Sequence, residues 1–217
     1  IFDNNDRPGI LLSSAIKKYA DLFGVACGEK NILFTNNDSA YETAISLIQK
    51  GIKVQAIIDN REEIDSKLIK ETEKNNIKIY KGYTIVDTFG YKRINSVSIM
   101  KLSKDGQKVI GSKENISCDS LGISGGWTPA VHLFTQSGGK LKFRDDDQVF
   151  IPNTYPSNQI SIGSCNGDFT LDEILINAPK LLKEFLNIKK TEYENIEIYS
   201  AFNKSKRNIW LLSLIHI

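Results

Sequence analysis

The sequence has few cysteines, few prolines and no long apolar run. Its three cysteines, Cys27, Cys118 and Cys165, lie far apart and form no Cys-x-x-Cys pair. This pattern argues against a disulfide framework and against a zinc site. No segment approaches the roughly 20 apolar residues that cross a bilayer. The start, IFDNNDRPG, lacks the basic segment and apolar run of a signal peptide. We therefore expect a cytoplasmic chain with no metal site and no membrane contact.

A strong excess of either charge is also missing. The chain carries 28 basic and 26 acidic residues, which leave a net charge of +2 and are well mixed. A nucleic-acid-binding face needs clustered Lys and Arg, so we predict no nucleic-acid partner. No Ser-His-Asp arrangement and no paired carboxylates follow from the spacing, so we predict no catalytic residue. His132 lies in the apolar segment AVHLF and is expected to be a packed histidine.

The first half of the chain alternates apolar strands with amphipathic helices. Strands are predicted over 31–35, 53–58 and 77–80, and helices over 10–23, 39–50 and 62–75. This order predicts an α/β fold with a doubly wound, Rossmann-like parallel sheet. Apolar and polar residues then alternate over 83–90, 92–102 and 107–116, which predicts an antiparallel meander.

The second half mixes short elements with one long helix. The predicted elements are a strand over 119–123, a helix over 129–137, a hairpin over 138–153, a strand over 159–163 and a helix over 167–186. Residues 190–208 are polar and are predicted to be a linker.

The turn after the first strand of the alternating unit holds the first candidate site. Asn36, Asn37 and Asp38 stand where dinucleotide-binding folds carry a glycine-rich loop. Asp38 brings a negative charge to a helix start, and this charge repels a pyrophosphate. Asp59 ends the next strand, where an acidic residue accepts hydrogen bonds from a ribose hydroxyl, so it is a candidate cofactor contact. The alternative is a self-satisfied turn, with Asp59 capping the next helix.

A second candidate site lies in ISIGSCNGDFTLDEIL, residues 160–175, which the pattern predicts as a strand, a glycine-bounded turn and a helix. A glycine such as Gly163 lets the backbone approach a ligand closely. The free amides at the following helix start bind anions, and Ser164 adds a hydroxyl. The alternative is an ordinary strand-to-helix turn.

Four separated motifs carry a family resemblance. They are NNDRPGILLSSA, FTNNDSAYETA, SGGWTPAVHLFTQSGGKLKF and GSCNGDFTLDEIL. The layout resembles that of flavin reductases of the thioredoxin reductase type, which have two dinucleotide-type domains. The motifs themselves resemble the alpha subunits of heterotetrameric sarcosine oxidase, from residue 3 to about residue 187.

The resemblance implies a division into domains. Residues 1–29 and 116–187 would belong to an incomplete outer domain of the FAD/NAD(P)-binding type. Residues 30–115 would form an inserted Rossmann-like domain. Residues 188–217 would be a linker ending in a non-native tail. The chain is then expected to be an internal fragment that is inactive alone.

The resemblance also implies a function. The outer domain would hold NAD, contacted here by Gly163, Ser164, Phe169 and Leu171. The whole complex, with beta, gamma and delta subunits, would use FAD, FMN and tetrahydrofolate to convert sarcosine to glycine. A related flavin-dependent amino- or imino-acid dehydrogenase subunit stays open as an alternative, as does a non-catalytic scaffold with vestigial nucleotide sites. The predicted inserted domain has no cysteine, which disfavours disulfide reduction.

Overall fold

The computed structural model describes residues 2–188, which divide after Gly126 into two compact units. We call residues 2–126 unit 1 and residues 127–188 unit 2, and describe each by itself. The predicted linker over 190–208 and the suspected tail lie outside the described residues.

Unit 1 contains eight strands and three helices. The strands are β1 Ile10–Leu12, β2 Asn31–Thr35, β3 Val54–Asp59, β4 Lys78–Lys81, β5 Tyr83–Phe89, β6 Ser96–Leu102, β7 Val109–Ser117 and β8 Ser120–Ser124. The helices are α1 Ser13–Phe23, α2 Ser39–Gln49 and α3 Lys67–Lys74.

A five-stranded parallel sheet forms the centre of unit 1, in the order β1-β8-β2-β3-β4. Strand β2 is buried along its whole length, and its side chains alternate between two cores. Leu33 packs with residues of the three helices, whereas Ile32 and Phe34 pack with residues of β5 and β6. The helices therefore cover one face of the sheet and an antiparallel sheet of β5, β6 and β7 covers the other. The α/β class, the parallel sheet and the antiparallel meander are confirmed.

Strands that the family resemblance assigns to two different domains lie in one sheet of unit 1. Strands β1 and β8 were placed in the outer domain, yet both lie in the same sheet as β2. Residue pairing places Leu121 beside both Ile10 and Ile32. The break between the two compact units falls after residue 126. The sequence hides this pairing because β8 inserts between two strands that are distant from it along the chain.

The helix predicted over 10–23 is wrong in its first three residues, which form β1. Leu12 has an extended backbone, with φ −64° and ψ 138°, and the helix begins at Ser13. A short apolar run fits a strand as well as a helix turn, so periodicity alone did not separate them. The helix ends as predicted, because Gly24 adopts the left-handed conformation with φ +62°.

Unit 2 contains α4 His132–Gln136, β9 Lys140–Arg144, β10 Val149–Thr154, a 3₁₀ helix Gly163–Asn166 and α5 Leu171–Phe185. Strands β9 and β10 form the predicted hairpin. The strand predicted over 159–163 is wrong, since this segment leads into the 3₁₀ helix without pairing. A strand needs a neighbour for its backbone hydrogen bonds, and within residues 127–188 β9 and β10 pair only with each other.

Candidate functional site

The turn that joins β2 to α2 is closed by its own side chains. Asn36, Asn37 and Asp38 are all buried. The side-chain oxygen of Asn37 lies 3.0 Å from the backbone nitrogen of Ser39 and 2.7 Å from its hydroxyl. The Ser124 hydroxyl lies 3.2 Å from the same oxygen. An amide oxygen of the protein thus accepts hydrogen bonds at the start of α2, where a dinucleotide-binding fold would place a phosphate.

Further hydrogen bonds fasten this turn to the end of β8. The side-chain nitrogen of Asn36 donates a hydrogen bond of 3.1 Å to the carbonyl oxygen of Gly125. The side-chain nitrogen of Asn37 donates one of the same length to the carbonyl oxygen of Ser124. The Thr35 hydroxyl donates to the Asn37 carbonyl at 2.7 Å. The turn is therefore rigidly tied, which agrees with the interpretation of a self-satisfied turn.

Asp59 lies at the end of β3 and is fully buried in an ion network. One of its oxygens accepts hydrogen bonds from the backbone nitrogen of Arg61 at 2.9 Å and from Nε of Arg61 at 3.1 Å. The other accepts from the Tyr41 hydroxyl and from Nη2 of Arg61, both at 2.8 Å. A carboxylate offers about four lone-pair positions, and these four donors fill them. The predicted ribose contact of Asp59 is not supported by this geometry.

Arg61 bridges Asp59 to Asp38, whose carboxylate lies 2.8 Å from Nη1. Burial opposes the charge on Arg61, but the two carboxylates outweigh it and raise the pKa of the guanidinium. Burial, together with the Asp59 carboxylate, raises the pKa of Tyr41 far above its usual range. Tyr41 is thus held as a neutral hydrogen-bond donor. The cluster is therefore suited to holding structure.

The candidate turn of unit 2 is more open. Gly163 and Gly167 have φ of +74° and +90°, in the left-handed region that favours glycine. Ser164 between them is exposed, whereas Gly163 and Gly167 are buried. Arg144 donates to the Gly167 carbonyl at 3.0 Å and also pairs with Asp147. The hairpin arginine therefore fixes the turn and leaves Ser164 facing outwards.

The start of α5 is capped by the protein itself. The carboxylate of Glu173 accepts hydrogen bonds from the backbone nitrogens of Phe169 at 3.2 Å and Thr170 at 3.1 Å. Thr170 and Glu173 together form a capping box. The expectation that free amides here face an anion is wrong for Phe169 and Thr170. The helix also begins at Leu171, later than predicted. Leu171 itself is 64% exposed, and Phe169 is half-buried.

The structure brings Gly163, Ser164, Phe169 and Leu171 into one short segment and leaves Asp59 in unit 1. His132 is exposed, which corrects its prediction as a packed residue, because its short helix buries only Phe134. The roles of Arg61 and Tyr41 in the buried network were missed. The one usable signal was an arginine two residues after a strand-ending aspartate.

No cysteine forms a disulfide, and Cys118 is buried. Burial, with a contribution from Asp119, raises the pKa of Cys118 to about 12. Within residues 2–188, no group of three or more His, Cys, Asp or Glu side chains is arranged to hold a metal. None of the helices over the same residues is both long and apolar enough to span a membrane.

Comparison with curated proteins gives a consistent set of relatives. The chain is 33% identical over 171 residues to sarcosine oxidase subunit alpha of Corynebacterium sp. (strain P-1), covering 78% of this chain and 17% of the relative. It is 32% identical over 167 residues to the same subunit of Corynebacterium sp. (strain U-96), covering 77% of this chain and 17% of the relative. The chain thus spans about a sixth of the length of these relatives. The comparison with protein-family models found no match.

Among solved structures, thioredoxin reductase of T. acidophilum is similar, with a TM-score of 0.62 and 16% sequence identity. The match covers 86% of this chain and 60% of that one. At this level of identity the match shows the fold alone.

Proposed function

The chain is homologous to one segment of the sarcosine oxidase alpha subunits, and from this premise we propose that it forms the NAD-holding part of such a subunit. The proposal rests on the 33% identity over 171 residues to a curated alpha subunit. The complex would oxidatively demethylate sarcosine to glycine, with tetrahydrofolate as the one-carbon acceptor. FAD, FMN and the beta, gamma and delta subunits would belong to the complex, and this chain would contribute no catalytic residue.

Unit 2 offers the better contact for NAD. Gly163 has the left-handed backbone of a tight turn, and the exposed Ser164 follows it. The exposed Leu171 presents apolar surface at the start of α5. Glu173 places a carboxylate at the same helix end, and this charge disfavours a phosphate there. We therefore assign these residues to the uncharged parts of NAD, with Ser164 hydrogen bonding to a sugar and Leu171 packing on it.

Extraction of the bound nucleotide tests this function. The full-length protein, purified with its partner subunits, is denatured, and the released nucleotides are identified by mass spectrometry. We expect a stoichiometric amount of NAD. A folded, intact complex that releases no NAD would contradict the proposal and would favour the scaffold alternative.

A pair of leucine substitutions locates the contact. Leu171→Asp is expected to lower the NAD content, because a charge replaces an apolar contact. Leu133→Asp, on α4, is the matched control, since Leu133 is also an exposed leucine of unit 2. We expect Leu133→Asp to retain NAD. Equal NAD contents in the two variants would show that Leu171 does not contact the nucleotide.

The substrate separates the two enzyme alternatives. With sarcosine, tetrahydrofolate and dioxygen, the assembled complex is expected to form glycine and methylenetetrahydrofolate, while dioxygen takes up the two electrons from sarcosine and becomes hydrogen peroxide. Turnover of a cyclic imino acid in place of sarcosine would favour the dehydrogenase alternative.

A further inference from the structure

Folds of the unit 1 type contact a dinucleotide mainly at two places. The first is the start of the helix after the first strand, where backbone amides meet the pyrophosphate. The second is the end of the next strand, where an acidic side chain meets a ribose. In unit 1 these places are the start of α2 and the end of β3.

At the start of α2, the side-chain oxygen of Asn37 already accepts the hydrogen bond of the Ser39 amide at 3.0 Å. Asn37 is only 3% exposed, and its side-chain nitrogen is used by Ser124 and Asn36. The backbone amide that would bind a phosphate therefore already donates to a neutral oxygen of the protein itself. A phosphate could reach it only by displacing that side chain.

At the end of β3, Arg61 provides three of the four donors to the Asp59 carboxylate. The same guanidinium pairs with Asp38. The cluster thus combines two carboxylates with one guanidinium, all almost completely buried. A ribose would therefore find no free lone pair on Asp59, and a pyrophosphate at the start of α2 would meet the negative charge of Asp38 in a medium that screens it poorly.

From these two observations we propose that unit 1 excludes dinucleotides, because Asn37 and Arg61 act as built-in substitutes for the ligand. This inference goes beyond the proposed function, which concerns unit 2. It assigns any nucleotide of the chain to unit 2 and gives unit 1 a supporting role only.

Photolabelling tests the exclusion directly. The full-length protein is freed of nucleotide and labelled with azidoadenine analogues of NAD and NADP, and the labelled peptides are mapped by mass spectrometry. Specific labelling is labelling that an excess of the unmodified nucleotide suppresses. We expect no specific labelling of residues 31–61. Specific label in that range would overturn the inference. Label in residues 160–175 reports on the proposed function, so the two results are distinguishable.

A glycine substitution tests the role of Asn37. Asn37→Gly frees the amides at the start of α2, and inorganic phosphate serves as the probe in equilibrium dialysis. We expect the variant to bind phosphate at least about tenfold more tightly than the unchanged protein, which is the gain from one hydrogen bond to a charged group. Asn36→Gly is the matched control, because the Ser39 backbone amide donates to Asn37, whereas the side chain of Asn36 donates to the Gly125 carbonyl.

The outcomes of the dialysis decide the point. No gain in phosphate binding by a folded Asn37→Gly variant, or an equal gain in Asn36→Gly, would overturn the role given to Asn37. If Asn37→Gly does not fold, photolabelling of the unchanged protein still decides whether unit 1 excludes dinucleotides.

Discussion

Helix α2 of unit 1 and helix α5 of unit 2 are stabilised in different ways. Helix α2 buries six residues, including Tyr41 and Leu47, against the parallel sheet. Helix α5 is longer and amphipathic, yet none of its residues is buried. Most helical stability in proteins comes from packing of an apolar face. Unit 1 is therefore stabilised by tertiary contacts, and α5 depends more on its capping box.

The same contrast applies to the candidate sites. In unit 1 the polar groups at the strand ends are buried and bonded to one another. In unit 2 the glycine turn leaves Ser164 and Leu171 exposed. A binding site needs accessible groups, whereas a buried network resists change because each member satisfies another. Substitutions in unit 1 should thus affect stability, and those in the turn of unit 2 should affect binding.

The largest effect is expected for Arg61→Met. The substitution leaves the carboxylates of Asp38 and Asp59 buried without their cation, which costs about 3–5 kcal/mol in free energy of unfolding. Hydrogen exchange of β2 and β3 peptides across a urea series measures this loss in unit 1 alone.

Lys101→Met is the matched control for Arg61. Lys101 pairs with Glu62 at 3.4 Å, and both side chains are nearly half exposed. An exposed ion pair contributes about 0–1 kcal/mol, so little change is expected. Similar losses in the two variants would show that burial of the network does not govern its contribution.

A leucine truncation in each unit tests the contrast between the helices. Leu47→Ala on α2 removes a side chain that is 1% exposed, and should cost about 2–5 kcal/mol. Leu182→Ala on α5 removes one that is 43% exposed, and should change stability by no more than about 0.5 kcal/mol. The measurement is urea-dependent hydrogen exchange of peptides from each helix. A large loss for Leu182→Ala would mean that α5 is packed more tightly than the structure shows.

The elements with strong local signals could be predicted from the sequence. The continuous apolar run of β2 and the Gly24 helix end both follow from local chemistry. The position of β8 could not be predicted, because its neighbours in the sheet are set by contacts across the chain. The strand predicted over 159–163 failed for a related reason, since its pattern carries no information on whether a pairing partner exists.

The candidate site was only partly predictable. The sequence allowed a self-satisfied turn at Asn36 to Asp38, and the structure agrees. It could not show that Arg61 turns back onto Asp59, because that contact depends on side-chain direction and burial. The Glu173 cap was readable, since Thr170 and Glu173 have capping-box spacing before an apolar run.

Removal of the α5 cap should have a moderate effect. Thr170→Ala loses the capping box and should cost about 1 kcal/mol. Because α5 has no buried residue to compensate, hydrogen exchange should quicken through its first turns. Ser66→Ala, which removes the cap of α3, is the comparison, and buried Ile69 and Thr72 should confine its effect to the helix end. Equal spread of the faster exchange along both helices would contradict the contrast between the units.

The smallest expected effect on stability at neutral pH comes from a thiol, and we compare Cys118 of unit 1 with Cys165 of unit 2. Burial raises the pKa of Cys118 to about 12, so almost none of it is thiolate at pH 8. Cys165 in unit 2 is only half-buried. With iodoacetamide at pH 8, Cys165 should therefore be alkylated before Cys118, which should react only after unfolding in urea. Since the folded pKa is raised, the stabilising contribution of Cys118 is complete below the ordinary thiol pKa and is lost as pH rises towards 12. Peptide mapping against time gives both rates, and equal rates in the folded protein would show that Cys118 is not enclosed by the core of unit 1.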